Sequence, residues 1–195
     1  MDEPTLTGSL LVATPVLEDP DFRRAVVFVI DDDPGEGTLG VIVNRPMEVA
    51  VDEVLENWSG VATEPAVMFS GGPVGTGSGL ALGMPGGGHA PPGWRPLDGT
   101  PNEESRVDGM GVVDLDAPPE ILGGALGRFR VFAGYAGWDA GQLAGEIDED
   151  AWYVVPAVAE DVFSPAPESL WPRVLRRQGG DLALVSTYPD DPTLN

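Results

Sequence analysis

Arg128-Phe129-Arg130-Val131-Phe132-Ala133-Gly134-Tyr135-Ala136-Gly137-Trp138-Asp139-Ala140-Gly141-Gln142-Leu143 changes its periodicity part-way along. Residues 128–135 alternate, with Phe129, Val131 and Ala133 on one face, which is the period of a strand at or near the centre of a sheet. Residues 139–150 take up the helical period: Leu143 and Ile147 lie four apart and face the core. Asp139 can cap that helix with Gln142 three residues on, much like a capping box, and Trp138 just ahead of the cap can pack on the first turn. The same junction has a second reading, in which Tyr135, Trp138 and Gln142 present aromatic and amide groups to a ligand or partner.

Upstream, residues 6–13 read as a first strand bounded by Pro15. Pro20 suits a first helical position behind the Asp19 cap, giving one or two turns. Residues 25–30 then form a buried β-branched strand, an acidic turn spans residues 31–37, and residues 38–44 complete a hairpin. In residues 51–58, Val51, Val54, Leu55 and Trp58 take the spacing of an amphipathic helix. Residues 66–69 and 78–82 read as strands flanking a Gly-rich connection. Residues 84–109 are rich in Gly and Pro, which predicts a long loop anchored by Trp94.

Residues 110–115 read as another short strand. Pro118 and Pro119 open a helix to about Leu126, with Gly127 at its left-handed cap. Beyond the central stretch come an extended segment at 152–155, a helix at 170–178 stopped by Gly179-Gly180, and a last strand at 182–185. Strands outnumber helices in an irregular order that is not a repeating βαβ, so the expected class is α+β: a single domain over residues 1–195.

The 195 residues suffice for a sizeable core, since a chain of this length buries about 70% of the surface its unfolded form exposes. The formal net charge is −22, and every basic residue is Arg. That field opposes nucleic acid and anionic lipid, and Arg23/Arg24, Arg128/Arg130 and Arg173/Arg176/Arg177 are scattered among acidic neighbours rather than massed in a basic patch. Direct nucleic-acid binding and membrane association are therefore not expected. The N-terminus lacks the basic start and apolar run of a signal peptide, which makes cytoplasmic the expected location. Cysteine is absent, which excludes disulfides, thiol catalysis and thiolate metal sites.

Few residues offer chemistry. The single histidine, His89, lies in the Gly-Pro stretch, and no serine sits in a nucleophile elbow. The acidic turn beginning at Asp31 fails the calcium-loop template, because position 5 is Gly35, position 6 is Glu36 and position 12 is Ile42. No metal and no cofactor are expected. The run from Gly71 to Gly79 invites a phosphate-loop reading, but no lysine follows it and its spacing is neither nucleotide fingerprint. Turn geometry explains those glycines better.

Taken in order, Asp19-Pro20-Asp21-Phe22-Arg23-Arg24, Gly40-Val41-Ile42-Val43-Asn44-Arg45-Pro46, Gly71-Gly72-Pro73, and Gly134-Tyr135-Ala136-Gly137-Trp138 with Gly141-Gln142-Leu143 and Glu146 resemble the successive signatures of the YqgE/AlgH family. Trp152, Pro156-Ala157 and Phe163 continue the resemblance over about residues 6–185. It implies a small cytoplasmic bacterial protein with a curved mixed or antiparallel sheet, or partial barrel, flanked by helices, and no accepted catalytic mechanism. Some members carry the label of transcriptional regulator. Many relatives have Glu-His after the position of Ile30 and a His near the position of Gly83; this chain has neither, so chemistry resting on those histidines is not carried over.

Two functions are expected from these observations. The first is a non-catalytic regulatory or partner-binding protein, the partner being a protein. The alternative is a small-molecule or anion binder, or an enzyme without His or Cys chemistry, in which Asn44, Arg45 and the Gly71-Gly72-Pro73 turn hold an anionic group. A third idea treats the acidic surface as a nucleic-acid mimic that titrates a basic partner.

Overall fold

The structure, a computed structural model, describes residues 5–58, 60–98 and 101–190. Its frame is a ten-stranded mixed sheet curved into a half-barrel: β1 (Ser9–Ala13), β2 (Val26–Asp33), β3 (Gly37–Ile42), β4 (Pro46–Ala50), β5 (Val67–Ser70), β6 (Val74–Pro85), β7 (Trp94–Pro96), β8 (Gly111–Val113), β9 (Leu126–Trp138) and β10 (Trp152–Pro156). The main path runs β10-β1-β2-β3-β9-β6-β8-β7, with β5 beside β9 and β4 beside β5. Together with its helices this is the expected α+β architecture.

Strand β9 is the hinge of the sheet. Its C-terminal part pairs antiparallel with β3 (Thr38↔Trp138 to Gly40↔Ala136), and its middle pairs parallel with β5 (Phe69↔Phe132). Along the other edge it pairs with β6 from Pro85↔Leu126 to Val74↔Tyr135. Gly134, at φ +74, marks the change between the two partners.

Three apolar layers result. Strands β1–β3 are buried on both faces, which is why their sequences are near-continuous apolar runs rather than alternations. One face carries Leu10, Phe28 and Val41 under Leu170, Trp171, Val174 and Leu175. The other carries Leu11, Val27 and Ile42 with Trp138, Leu143 and Trp152. A third cluster, Trp58, Phe129, Val131 and Leu122, fills the far end of the sheet.

The helices expected at 51–58 and after Pro118 are shorter than the periodicities predict. Helix α1 (Val51–Val54) is one turn. Asn57, at φ 68, turns the chain so that Trp58 swings back to stack on Phe129 at 4.9 Å, and Val54 is left exposed. Helix α2 (Pro119–Leu122) stops at Gly123, and Leu126 opens β9 rather than closing a helix. The turn at Asp19 is a single one: its carbonyl accepts from Arg23 N at 2.8 Å and its Oδ1 from Asp21 N.

Helices α3 (Gln142–Asp148), α4 (Ala159–Val162), α5 (Leu170–Gln178) and α6 (Gly180–Val185) complete the domain. The expected last strand at 182–185 is therefore a helix. Gly179 and Gly180, both at positive φ, re-aim the chain without ending helicity, and Leu182 and Val185, three apart, pack on the core while Leu184 faces solvent. The expected loop at 84–109 contains the end of β6 and all of β7, with Trp94 Nε1 donating to Gly83 O at 3.0 Å. Residues 99 and 100 of that loop fall outside the described ones. Among the described residues no helix is long and apolar enough to cross a membrane.

Candidate functional site

The predicted residues fall into two groups. In the first, Gly71 and Gly72 form a backbone joint between β3 and β9. Gly71 N donates to Ala133 O at 2.9 Å, and Gly71 O accepts from Ile42 N at 2.8 Å. A Cβ on Gly71 would lie 2.3 Å from Gly134 O, and one on Gly72 would lie 2.2 Å from the Tyr135 carbonyl. The glycines permit that approach, and both are buried; Pro73 is exposed beside them. The Tyr135 ring lies between Gly75 and Gly137.

Asn44 continues the β2–β3 hairpin with its side chain: Oδ1 accepts from Val26 N at 2.9 Å and Nδ2 donates to Arg24 O at 2.8 Å. Arg45 donates to the carbonyls of Asp21 and Arg23, tying the Asp19 turn to the sheet. Burial lowers the Arg45 pKa, and Asp21 and Asp19 oppose that shift. Both side chains are thus committed to backbone partners. Beside them, Arg24 lies over the Trp171 ring at 4.0 Å and donates to Pro189 O at 2.5 Å.

The second group centres on a residue that was legible only as part of the family signature. Glu146 Oε2 accepts from Trp138 Nε1 and from Trp152 Nε1, each at 2.9 Å, and Oε1 accepts from Gln142 Nε2 at 3.0 Å. Trp138 and Trp152 meet edge to face at 5.9 Å, and Phe22 packs on both. Gln142 Oε1 also accepts from Asp139 N at 3.0 Å, but α3 begins at Gln142 behind Gly141 at φ +79 with no side-chain cap, so the expected Asp139 cap of a helix over 139–150 is not formed. One carboxylate therefore holds two largely buried indoles. Glu146→Ala should cost about 2–3 kcal/mol, because it leaves both indole N–H groups without an acceptor, and Gln142→Ala less than about 1 kcal/mol. Denaturant midpoints of the two variants check this ordering.

A wide concavity lies away from both groups except at Tyr135. It is a groove of about 710 Å³ across β6, β9 and the chain after β8. Val131, Ala133, Ala81 and Met68 form the floor, Val54 of α1 and Leu55 just after it one wall, and Leu115 the other, with Asp114 and Asp116 on the rim. Sequence reasoning missed it because its depth comes from small residues: Gly77, Gly79, Ala81 and Ala133 leave the sheet face low between taller neighbours. No Arg or His lines it.

Acid–base and metal chemistry find little support among the described residues. His89 is exposed. Asp32 accepts from Leu6 N and Thr38 Oγ1, and Asp33 from Gly35 N and Glu36 N, so these carboxylates build the hairpin and its turn. No three His, Cys, Asp or Glu side chains are placed to hold a metal ion.

A family model described as AlgH-like matches residues 10–183. A UPF0301 protein of Thermobifida fusca is 60% identical over 195 residues, which are 100% of this chain and 98% of that protein. A UPF0301 protein of Mycobacterium tuberculosis is 42% identical over 188 residues, covering 96% and 90%. Among solved structures, a crystal structure of a Corynebacterium diphtheriae protein superposes with a TM-score of 0.84 at 33% identity, covering 96% of this chain and 94% of that one. The solution structure of the AlgH protein from Pseudomonas aeruginosa gives a TM-score of 0.68 at 26% identity over 97% of both chains.

Proposed function

The chain belongs to the AlgH-like family, and we propose that it is a non-catalytic member that works by holding a protein partner in the groove beside β6. The observation that carries this reading is the groove itself: an apolar floor at the sheet face, two exposed carboxylates on the rim and no cation in the lining. Apolar surface drives docking, and a rim of one charge selects the opposite charge in the partner. The occupant is accordingly an apolar segment flanked by Arg or Lys. With a net charge of −22 the whole protein steers such a segment inward and repels nucleic acid. Any regulatory effect then passes through the partner rather than through direct contact with DNA.

Gly77 offers a clean test. A Cβ added there meets nothing within 4 Å, so Gly77→Trp should fill the groove with the unfolding midpoint unchanged to within about 0.5 kcal/mol. Gly87, also in open space but away from the groove, supplies the control Gly87→Trp. In affinity capture from the native cells, the wild type and Gly87→Trp should retain a protein that Gly77→Trp loses. Identical captures by all three proteins, or none by any, would reject the groove as the docking surface.

A further inference from the structure

The segment Asp19-Pro20-Asp21-Phe22-Arg23-Arg24 contributes nothing to the groove; its two arginines meet the C-terminal end of the chain instead. Arg23 Nη2 donates to Asp190 O, and Arg24 Nη2 donates to Pro189 O at 2.5 Å. The Asp190 carboxylate comes only to 4.0 Å from Arg24 Nε and is almost wholly exposed, whereas the Arg24 side chain is 19% exposed. Among the described residues this is the one ion pair that either arginine makes. In a chain with 32 Asp and Glu residues, two adjacent guanidiniums are thus met mainly by neutral carbonyls. Burial lowers the Arg24 pKa, Asp190 opposes that shift and Arg23 adds to it, so the two cations lie close enough to repel.

Tyr188, Pro189 and Asp190 border two hollows, and so does Arg24. One, of about 250 Å³, is lined also by Thr14, Leu17 and Arg23; the other, of about 280 Å³, by Asn44, Trp171 and Pro172. The three tail residues are the divide, and lifting them joins the hollows into one cleft with Arg24, laid over Trp171 at 4.0 Å, at its centre. Around the two guanidiniums the tail sets three oxygens: the carbonyls of Pro189 and Asp190, and a carboxylate oxygen further out. We propose that this cleft binds the phosphate group of a small molecule, and that residues 188–190 are a strap that fills the site in its absence. A phosphate monoester brings three terminal oxygens and about two negative charges on one centre, so it replaces neutral acceptors by charge-assisted ones and relieves the repulsion between the arginines. Glu18 and Glu168, both exposed on the outer walls, and the net charge of −22 turn away a polyanion such as nucleic acid. Against a single compact phosphate the distant part of that field is screened beyond about 8–10 Å at physiological salt, and the paired arginines dominate. No residue of this cleft lines the groove beside β6, so the site is independent of the docking reading.

Because the tail and the phosphate compete for the same donors, the site and the strap have separate signatures. The probe is inorganic phosphate, titrated calorimetrically into the full chain at constant ionic strength, with succinate as the carboxylate comparison. Arg23→Ala and Arg24→Ala should each weaken phosphate binding about tenfold or more, since each removes a charge-assisted donor. Arg95→Ala, whose guanidinium pairs with Asp98 outside the cleft, should leave it unchanged. Pro189→Gly keeps the carbonyl but frees the tail backbone, so it loosens the strap and should tighten phosphate binding about threefold. Succinate should bind at least about tenfold more weakly than phosphate. If Arg24→Ala fails to fold, the exposed Arg23 carries the test alone. No phosphate binding by the wild type or Pro189→Gly, or binding equal in the wild type and Arg23→Ala, would overturn the site. Binding lost in the arginine variants but unaltered by Pro189→Gly would overturn the strap, and equal binding of succinate and phosphate would overturn the assignment to phosphate.

Discussion

Replacing Arg130 by Met is expected to destabilise the protein by about 3–5 kcal/mol, which for a domain of this size lowers the melting temperature by about 10 °C. The side chain is 1% exposed and, among the described residues, has no carboxylate partner. Instead Nη1 donates to Val162 O at 2.8 Å and Ser164 O at 3.1 Å, and Nη2 to Glu64 O at 2.9 Å and Thr63 O at 3.4 Å, while the guanidinium lies 4.3 Å from the Phe69 ring centre. Burial pushes its pKa down to about 10, so it remains a cation at neutral pH. Met fills similar volume and removes the cost of burying that charge, but it orphans four carbonyls on two loops, each costing about 1–3 kcal/mol when left unmet. The second effect outweighs the first. Arg130→Lys keeps the charge but is a compact donor that does not span both loops, so its loss should be intermediate. A melting curve for each variant checks the order wild type, Lys, Met; a Met variant as stable as the wild type would refute the pinning role.

Gly72→Ala should cost more than about 4 kcal/mol, or prevent folding altogether. Gly72 sits at φ +153, and the added Cβ would fall 2.2 Å from both C and O of Tyr135 and 2.5 Å from Ala136 N. All three are backbone atoms of the central strand, which no rotamer change can relieve. Gly77→Ala, five residues further along the chain and in open space, is the matched control and should be nearly silent. Soluble yield and chemical unfolding of the pair measure the difference. A folded, stable Gly72→Ala protein would show that the β3–β9 joint has slack that the geometry does not display.

How much of this was legible in the sequence depends on the kind of signal. Strands β1, β2 and β3 and the centrality of β9 follow from unbroken or alternating apolar runs, which report burial directly. Helix α5 follows because its apolar stripe is long and ends at two glycines. The segments at 51–58 and 182–185 misled because four to eight residues fit both periods, and only the tertiary partner decides: Trp58 turns back to Phe129, and Leu182 and Val185 fold against the core. Arg130 was read as one of several scattered cations. Its neighbours Phe129 and Val131 face one layer while Phe132 shares its own, so a strand buried on both faces hides a charge that alternation assigns to solvent.

The site was less legible than the fold. Asn44, Arg45, Gly71 and Gly72 carry family signature positions, and the structure gives each of them backbone partners or close backbone packing. Apart from its place in the family signature, Glu146 stood in the sequence as one acid among 32 Asp and Glu residues until the two indoles were seen to converge on it. The groove leaves almost no trace in a sequence, because it is made by the absence of side chains at Gly77 and Gly79 and by the end of β8 at Val113.

The central claim, that the groove beside β6 is where a protein partner docks, is tested most directly by placing a photo-activatable cross-linking residue at Ser78 in the native cells. Ser78 is exposed and lines the groove. The account predicts one reproducible adduct to a protein whose linked peptide is apolar and flanked by Arg or Lys, and loss of that adduct when Gly77→Trp is introduced in the same chain. Absence of any adduct at Ser78, or an adduct unchanged by Gly77→Trp, would contradict it.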